Sequence, residues 1–161
     1  MKKIWCMLLV SLLLTGCGAE ETFETVADEI VQSVLAQPRE ITIRLPDNAV
    51  APVLESAQRQ VYMSEEYEIM IETLESGDLQ ATIRELSGYE KDQLTVLETQ
   101  VQDVTRYEFV WACAGERGDR LGRAVILDDG DYHYCLSVLR DAQTEKSQIV
   151  WSDVFASFAL L

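Results

Sequence analysis

The single histidine of the sequence, His133, is preceded by Asp131 and followed at alternate positions by Cys135 and Ser137. Alternate residues of an extended strand point to one face, so a carboxylate, a thiol and a hydroxyl would share a side with the imidazole. Those are the groups of a Cys-His or Ser-His-Asp nucleophilic site, in which the imidazole takes the proton of the attacking atom. The spacing works against it. Residues i and i+2 stand about 6.6 Å apart with parallel side chains, and Ser137 would be about 13 Å from His133, far beyond hydrogen-bond reach. Partners would have to come from other strands, and a histidine satisfied on a half-exposed strand is the simpler account. Asp128, Asp129 and Asp131 around Gly130 offer carboxylates to calcium, but without the regular spacing and distant glutamate of an EF-hand loop. Asp-Gly is also ordinary hairpin chemistry. Arg117-Gly118-Asp119 spells an integrin-recognition tripeptide from residues that recur by chance in turns. No glycine-rich phosphate loop, no metal-ligand pair at i and i+4 and no basic patch with aromatics is present, so the sequence nominates no metal, no cofactor and no nucleic-acid partner.

A second chemistry sits near the start. Lys2 and Lys3 precede the apolar run Ile4 to Leu14, too short to span a bilayer as a permanent helix and suited to a targeting segment. Leu14-Thr15-Gly16-Cys17 follows directly, with small residues before the cysteine. This tetrapeptide resembles the lipobox of bacterial prolipoproteins. The resemblance implies that the thiol of Cys17 takes a diacylglyceryl group and that a dedicated peptidase cleaves between Gly16 and Cys17. Residues 1–16 are then the signal peptide, residues 17–22 the lipidated cysteine with a short tether, and residues 23–161 a single domain. Two or three acyl chains hold far more firmly than one, because each buried methylene contributes about 0.8 kcal/mol. The protein is expected at the cell membrane, lipid-anchored on the extracytoplasmic face. Gly18 to Thr22 reach no more than about 18 Å, which keeps the domain near the bilayer.

Cleavage would leave 145 residues, enough for one domain with a sizeable core. All 28 acidic residues and eleven of the 13 basic ones follow the cleavage point, for a net charge of −17. Such a surface repels phosphate backbones and anionic headgroups, which excludes nucleic acid and peripheral membrane binding by the domain itself. Cys6 leaves with the signal and Cys17 is acylated, so Cys113 and Cys135 remain as an even pair in an oxidising compartment. A strand meander separates them. With a two-residue turn at Asp129-Gly130 they share a face but lie on outer strands about 9 to 10 Å apart, too far for a disulfide. With a three-residue turn at Asp128-Asp129-Gly130, Cys135 points the other way and Tyr132, Tyr134, Leu136 and Val138 join the face of Tyr107, Phe109, Trp111, Ala124 and Ile126. The second register buries more apolar surface and is the one expected. In either, the cysteines read as small packed thiols.

The elements that position these residues follow from periodicity. Phe23, Val26, Ala27, Ile30, Val31, Val34 and Leu35 recur at helical spacing before Pro38. Ile41, Ile43 and Leu45 alternate as a strand, and Asn48 to Ala57 read as loop. Arg59 to Met63 and Tyr67 to Leu74 form a hairpin around Ser64-Glu65-Glu66. A short helix opens at Gly77-Asp78 and ends at Gly88. Leu94 to Gln102 is a strand, followed by a meander of Thr105 to Ala114, Leu121 to Leu127 and Tyr132 to Leu139. Glu145 to Ala159 carries Val150, Trp151, Val154, Phe155 and Phe158 at helical spacing. Strands cluster between terminal helices, which predicts an α+β fold: an antiparallel sheet with N-terminal and C-terminal helices on one face. The element order is similar to that of PsbP-like domains. The ending, with Tyr134, Trp151 and Phe155-Ala156-Ser157-Phe158, resembles small uncharacterised lipoproteins of anaerobic Gram-positive bacteria. The second resemblance carries no known activity, and the first implies binding and assembly more often than catalysis. The leading expectation is therefore a non-enzymatic binding or assembly module whose protein or small-molecule partner the sequence does not name. The alternative is a small hydrolase or thiol enzyme using His133.

Overall fold

A computed structural model describes residues 36–115, 118–141 and 148–161, with backbone only for residues 148–150. The lipobox, the tether and the helix expected over Phe23 to Leu35 lie outside these residues, as do the side chain of Val150 and Arg117 of the Arg-Gly-Asp tripeptide.

In chain order the elements are β1 (Ile41–Thr42), β2 (Leu54–Glu55), β3 (Arg59–Met63), β4 (Tyr67–Glu75), α1 (Leu79–Ser87), a 3-10 turn (Lys91–Gln93), β5 (Leu97–Val101), β6 (Val104–Gly115), β7 (Gly118–Asp128), β8 (Tyr132–Asp141), α2 (Gln148–Ser157) and β9 (Ala159–Leu160). Seven strands form one antiparallel sheet in the order β2-β3-β4-β8-β7-β6-β5, and β1 pairs with β9 in a second, two-stranded sheet. The expected hairpin at Ser64-Glu65-Glu66, the short helix between Asp78 and Gly88 and the three-strand meander all form. The loop expected over Asn48 to Ala57 holds the two-residue edge strand β2, paired to β3.

The α+β arrangement is overturned. Strands take up about half of the structure, and one of the two helices among the described residues lies in mid-chain between β4 and β5. The helices also cover opposite faces. Ile83 and Leu86 of α1 pack with Phe109, Trp111, Ala124, Ile126 and Cys135. Trp151, Val154 and Phe155 of α2, with Phe158 just beyond it, pack with Tyr67, Ile69, Ile71, Val125, Leu136 and Val138. The physical reason is visible in β8, where every residue from His133 to Val138 is buried. A strand buried on both sides needs cover on both sides, and a single helical layer leaves one face wet.

Local chemistry sets the helix ends. The Asp78 side chain accepts from the Gln80 N–H at 2.9 Å, and Gly88, at φ 80°, closes α1 by donating its N–H to the Arg84 carbonyl at 2.8 Å. At the other helix, Arg106 donates to the carbonyls of Phe155 at 3.1 Å and Phe158 at 3.4 Å, satisfying groups that a helix end leaves open. The segment from Ala36 to Asn48 is pinned along the α2 side by side chains. Tyr132 donates to the Ala36 carbonyl at 2.6 Å, Ser157 accepts from the Arg44 N–H at 2.8 Å, and Tyr67 donates to Asn48 at 2.8 Å.

The turn between β7 and β8 corrects the expected register. Asp128 pairs with His133 and Ile126 with Cys135, so four residues connect the strands instead of three. Asp129 closes this longer turn by accepting from the N–H groups of Asp131 at 3.1 Å and Tyr132 at 2.8 Å, and Gly130 supplies φ 94°. One residue of slip moves a whole strand to the other face. Cys135 therefore shares the α1 side with Ile126 and Phe109, while Tyr134, Leu136 and Val138 face α2. Burial could not choose between the registers, because both faces are covered.

Candidate functional site

The register that brings Cys135 to the α1 face brings His133 and Ser137 with it, and α1 then seals them in. His133 and Cys135 are each 1% exposed and Ser137 is 8%. His133 Nδ1 lies 3.0 Å from the Thr82 hydroxyl on α1, and Nε2 lies 3.7 Å from Asp128 on β7. The threonine satisfies Nδ1 within the core, while Asp128 stands beyond hydrogen-bond distance of Nε2. The structure thus supplies neighbours from other elements, a buried threonine of α1 and a half-buried aspartate of β7. Cys135 faces Glu72 across the β4–β8 ladder. Burial pushes its thiol well above the ordinary range, and the nearby charges of Glu72 and Glu85 add to the shift. A thiol held protonated in this way is a poor nucleophile. Its nearest polar contact is the His133 carbonyl at 3.9 Å. Neither His133 nor Cys135 lines any of the four main cavities. A reacting group must meet its substrate, and nothing here brings one to these atoms.

Beside them, Arg59 donates from Nε to Glu72 Oε1 at 2.7 Å and reaches Glu85 on α1 at 3.4 Å, tying the helix to β4. Glu72 is itself 5% exposed, and its Oε2 has no hydrogen-bond partner among the described residues. At the β7–β8 turn the carboxylates bind the backbone. Asp128 Oδ1 accepts from the Gly130 N–H at 2.9 Å, and Asp129 Oδ2 accepts from the Tyr134 hydroxyl at 2.8 Å. The turn uses these oxygens for its own closure. Cys113 and Cys135 are both free. Cys113 pairs with Arg120 on β7 and Cys135 with Ile126, six residues further along that strand. The two thiols are thus offset by about 20 Å along the sheet as well as separated by a strand, which no disulfide can bridge.

The sequence did not nominate the largest of the four cavities, an open groove of about 690 Å³ on the α2 face. It runs between α2 and the far ends of β6, β7 and β8, with walls from Val110, Leu121, Val138, Trp151 and Phe155. Trp151 stacks edge-on against Tyr67 with ring centroids 5.1 Å apart. Arg123 lies over the Phe155 ring, 4.2 Å from its centroid, an arrangement that holds a guanidinium flat against an apolar wall. Its Nε donates to Glu108 at 2.9 Å and its Nη2 contacts the same oxygen. Arg140 lines the groove as well, and no acidic residue does among the described residues. No sequence signal marked this site, whose rim carries Val110, 62% exposed, and Leu121, 38%. Cys17 and Gly16, the residues assigned to lipidation and cleavage, lie outside the described residues. No protein-family model matches the sequence, and no curated protein matches it closely enough to carry an inference.

Proposed function

We propose that this protein is a lipoprotein anchored through acyl chains on Cys17 to the extracytoplasmic face of a bacterial cell membrane, where its domain binds or assembles with a partner without catalysing a reaction. The anchor reading is supported by the order of Lys2, Lys3, the short apolar run and Leu14-Thr15-Gly16-Cys17. The observation that carries the binding reading is a contrast of accessibility. The histidine and thiol that a hydrolase would use are 1% exposed beneath α1, whereas the groove beside α2 opens to solvent with apolar walls and guanidinium groups. Apolar clefts of some 300 to 1,000 Å³ with a few placed polar groups are the usual form of a small-molecule site.

Metabolic labelling with a fatty-acid analogue tests the anchor. The wild-type protein should carry label and partition with membranes, and Cys17→Ser should lose the label and retain residues 1–16. A labelled Cys17→Ser protein would sink the assignment. For the non-enzymatic part, a panel of active-site-directed thiol and serine probes should leave the folded protein unmodified. Labelling of Cys135 or a serine that His133→Ala abolishes would replace this reading with an enzyme.

A further inference from the structure

We propose that the strip of sheet beside α1, over β2, β3 and β4, docks a basic amphipathic helix of a partner protein, with the apolar side of that helix on Leu54, Met63 and Met70 and its cations toward Glu65, Glu66 and Glu68. The inference goes beyond the groove on the α2 face and rests on the reading of the protein as a binding module.

Three observations lead to it. The first is an uncovered floor. Met70 and Leu139 pack at the margin of the cluster beneath α1, which fixes their side chains on that face. Register carries the same face out to the sheet edge: Val61 lies opposite Met70, Leu54 lies opposite Val61, and Met63 stands two residues beyond Val61. Ile83 and Leu86 of α1 pack instead on residues of β6, β7 and β8. Leu54 is thereby left 50% exposed and Met63 59%. Strands stand about 4.8 Å apart, so β2 to β4 offer a strip about 10 Å wide, and a helix with its side chains is about 10 to 12 Å across. Among the described residues no helix occupies this strip. Unbranched methionine also adapts its shape to whatever packs on it.

The second observation is charge complementarity. Glu68 lies opposite Met63 on the floor, and Glu65 and Glu66 form the turn that closes its end. None of the three makes an ion pair among the described residues. On the other side Glu85 of α1 shares Arg59 with Glu72. Five carboxylates, those of Glu65, Glu66, Glu68, Glu72 and Glu85, thus stand around the strip against the one guanidinium of Arg59. A cation gains here, whereas phosphate backbones and anionic headgroups are repelled. The exposed apolar residues Val110 and Leu121 on the other face sit beside Arg123, where a basic helix meets like charge.

The third observation separates a helix from an added strand. The edge of β3 is already taken, because the Val53 N–H donates to the Val61 carbonyl at 2.7 Å and the Ser56 N–H to the Arg59 carbonyl at 2.8 Å. Outside it β2 offers only the two residues Leu54 and Glu55, preceded by Pro52, which has no N–H to give. A strand from a partner finds too short a ladder there. A helix satisfies its own N–H and C=O groups, so it needs from this surface only apolar contact and charge, and both are present.

A synthetic helix of leucine and lysine about four turns long, with every leucine on one side, provides the test when added to the full-length protein in phosphatidylcholine nanodiscs, empty nanodiscs serving as the blank. Fluorescence anisotropy of the labelled peptide reads affinity. Peroxide oxidation of Met63, followed by peptide mapping, reads location, and bound peptide should slow it about threefold or more because oxidation follows exposure. Leu54→Ser with Met63→Ser, both at exposed positions, should weaken binding about tenfold through lost apolar contact. Glu65→Gln, Glu66→Gln and Glu68→Gln together should also weaken it about tenfold, as three exposed ion pairs would. Melting temperatures within about 2 °C of wild type would show that both variants keep the fold. Equal binding by oligolysine, or by a peptide of the same composition with its leucines scattered round the helix, overturns the proposal. So does Met63 oxidation unchanged at saturating peptide, binding that survives both sets of substitutions, or anisotropy that does not saturate by about 1 mM. Crosslinks that join the strip to a second copy of this chain give it to self-association and also overturn it. None of these failures touches the tests of Cys17 or of the thiol and serine probes, which use neither the strip nor the peptide.

Discussion

Gly122 lies on β7 opposite Trp111 on β6, and the indole covers the backbone where a side chain would stand. A Cβ built on Gly122 would fall on Cε2, Cζ2 and Cδ2 of Trp111, inside any allowed carbon–carbon approach. Two effects of Gly122→Ala therefore oppose each other. Replacing glycine within a strand recovers about 0.5 to 1 kcal/mol of backbone entropy. Forcing a methyl into a packed core costs about 1 to 3 kcal/mol. Trp111 is 8% exposed and stacks at 5.7 Å on Phe109, so the ring cannot swing into solvent without giving up its own burial. The clash should win, with a net loss of roughly 1 to 2 kcal/mol. At about 2 to 4 °C per kcal/mol for a chain of this size, the melting temperature should fall by about 2 to 8 °C. Thermal unfolding followed by far-UV circular dichroism reads the shift, and near-UV dichroism reads the displaced indole. The pair should be strongly coupled. In a Trp111→Leu background, Gly122→Ala should cost close to nothing, giving a coupling energy of about 1 kcal/mol or more. A melting temperature unchanged or raised by Gly122→Ala alone would refute the stacking of Trp111 on Gly122.

Other consequences are open to simpler measurement. In the folded protein Cys135 should resist alkylation while the less buried Cys113 reacts slowly, and after denaturation without reductant both should be modified; a mass two hydrogens lighter with no alkylation would contradict the sheet order. Cys135→Ser should destabilise by about 1 to 3 kcal/mol, because a hydroxyl replaces a thiol at a fully buried position. The Tyr134 hydroxyl, mainly through burial, is pushed up from 10.0 to about 12. Between those values the unfolded chain has lost a proton that the folded one keeps, so stability should fall from pH 10 to pH 12, and Tyr134→Phe should flatten part of that fall in denaturant titrations. Gln102 holds φ 57° in the turn between β5 and β6, so Gln102→Gly should raise stability by up to about 1 kcal/mol; a loss would mean that its side chain supports the turn.

What the sequence made legible, and what it did not, divides along physical lines. Local signals were readable. Asp78 and Gly88 framed α1, the Ser64-Glu65-Glu66 turn joined β3 to β4, and Trp151, Val154, Phe155 and Phe158 marked the inner side of α2. Assignments that depended on which face is covered were not readable, because alternation along a strand says that two sides differ but not that one is wet. β8 shows this most clearly: His133, Cys135 and Ser137 look like a polar face in the sequence, yet α1 buries them together. The same ambiguity misplaced the register at Gly130, where the decisive groups are the Asp128 and Asp129 carboxylates bonding to backbone N–H groups. The groove of Arg123 and Trp151 was beyond reach for another reason. It is made by three strands and a helix that meet only after the sheet has formed.

The central ladder joins β4 to β8, with Tyr67 opposite Arg140 and Glu75 opposite Tyr132, so the middle of the sheet is built from segments nearly half the chain apart. Everything between them is synthesised before the pair can close. Until β8 emerges, the β3–β4 hairpin presents an unpaired edge carrying Ile69 and Ile71, and the pair of β1 with β9 waits for residues 159 and 160 at the far end. Long-range pairing of this kind folds slowly, because a large loop is closed before any contact rewards it. The pairing of β1 therefore stays open until residues 159 and 160 have been made. The same delay exposes an adhesive strand edge to any chaperone that reaches it first, or to a neighbouring chain.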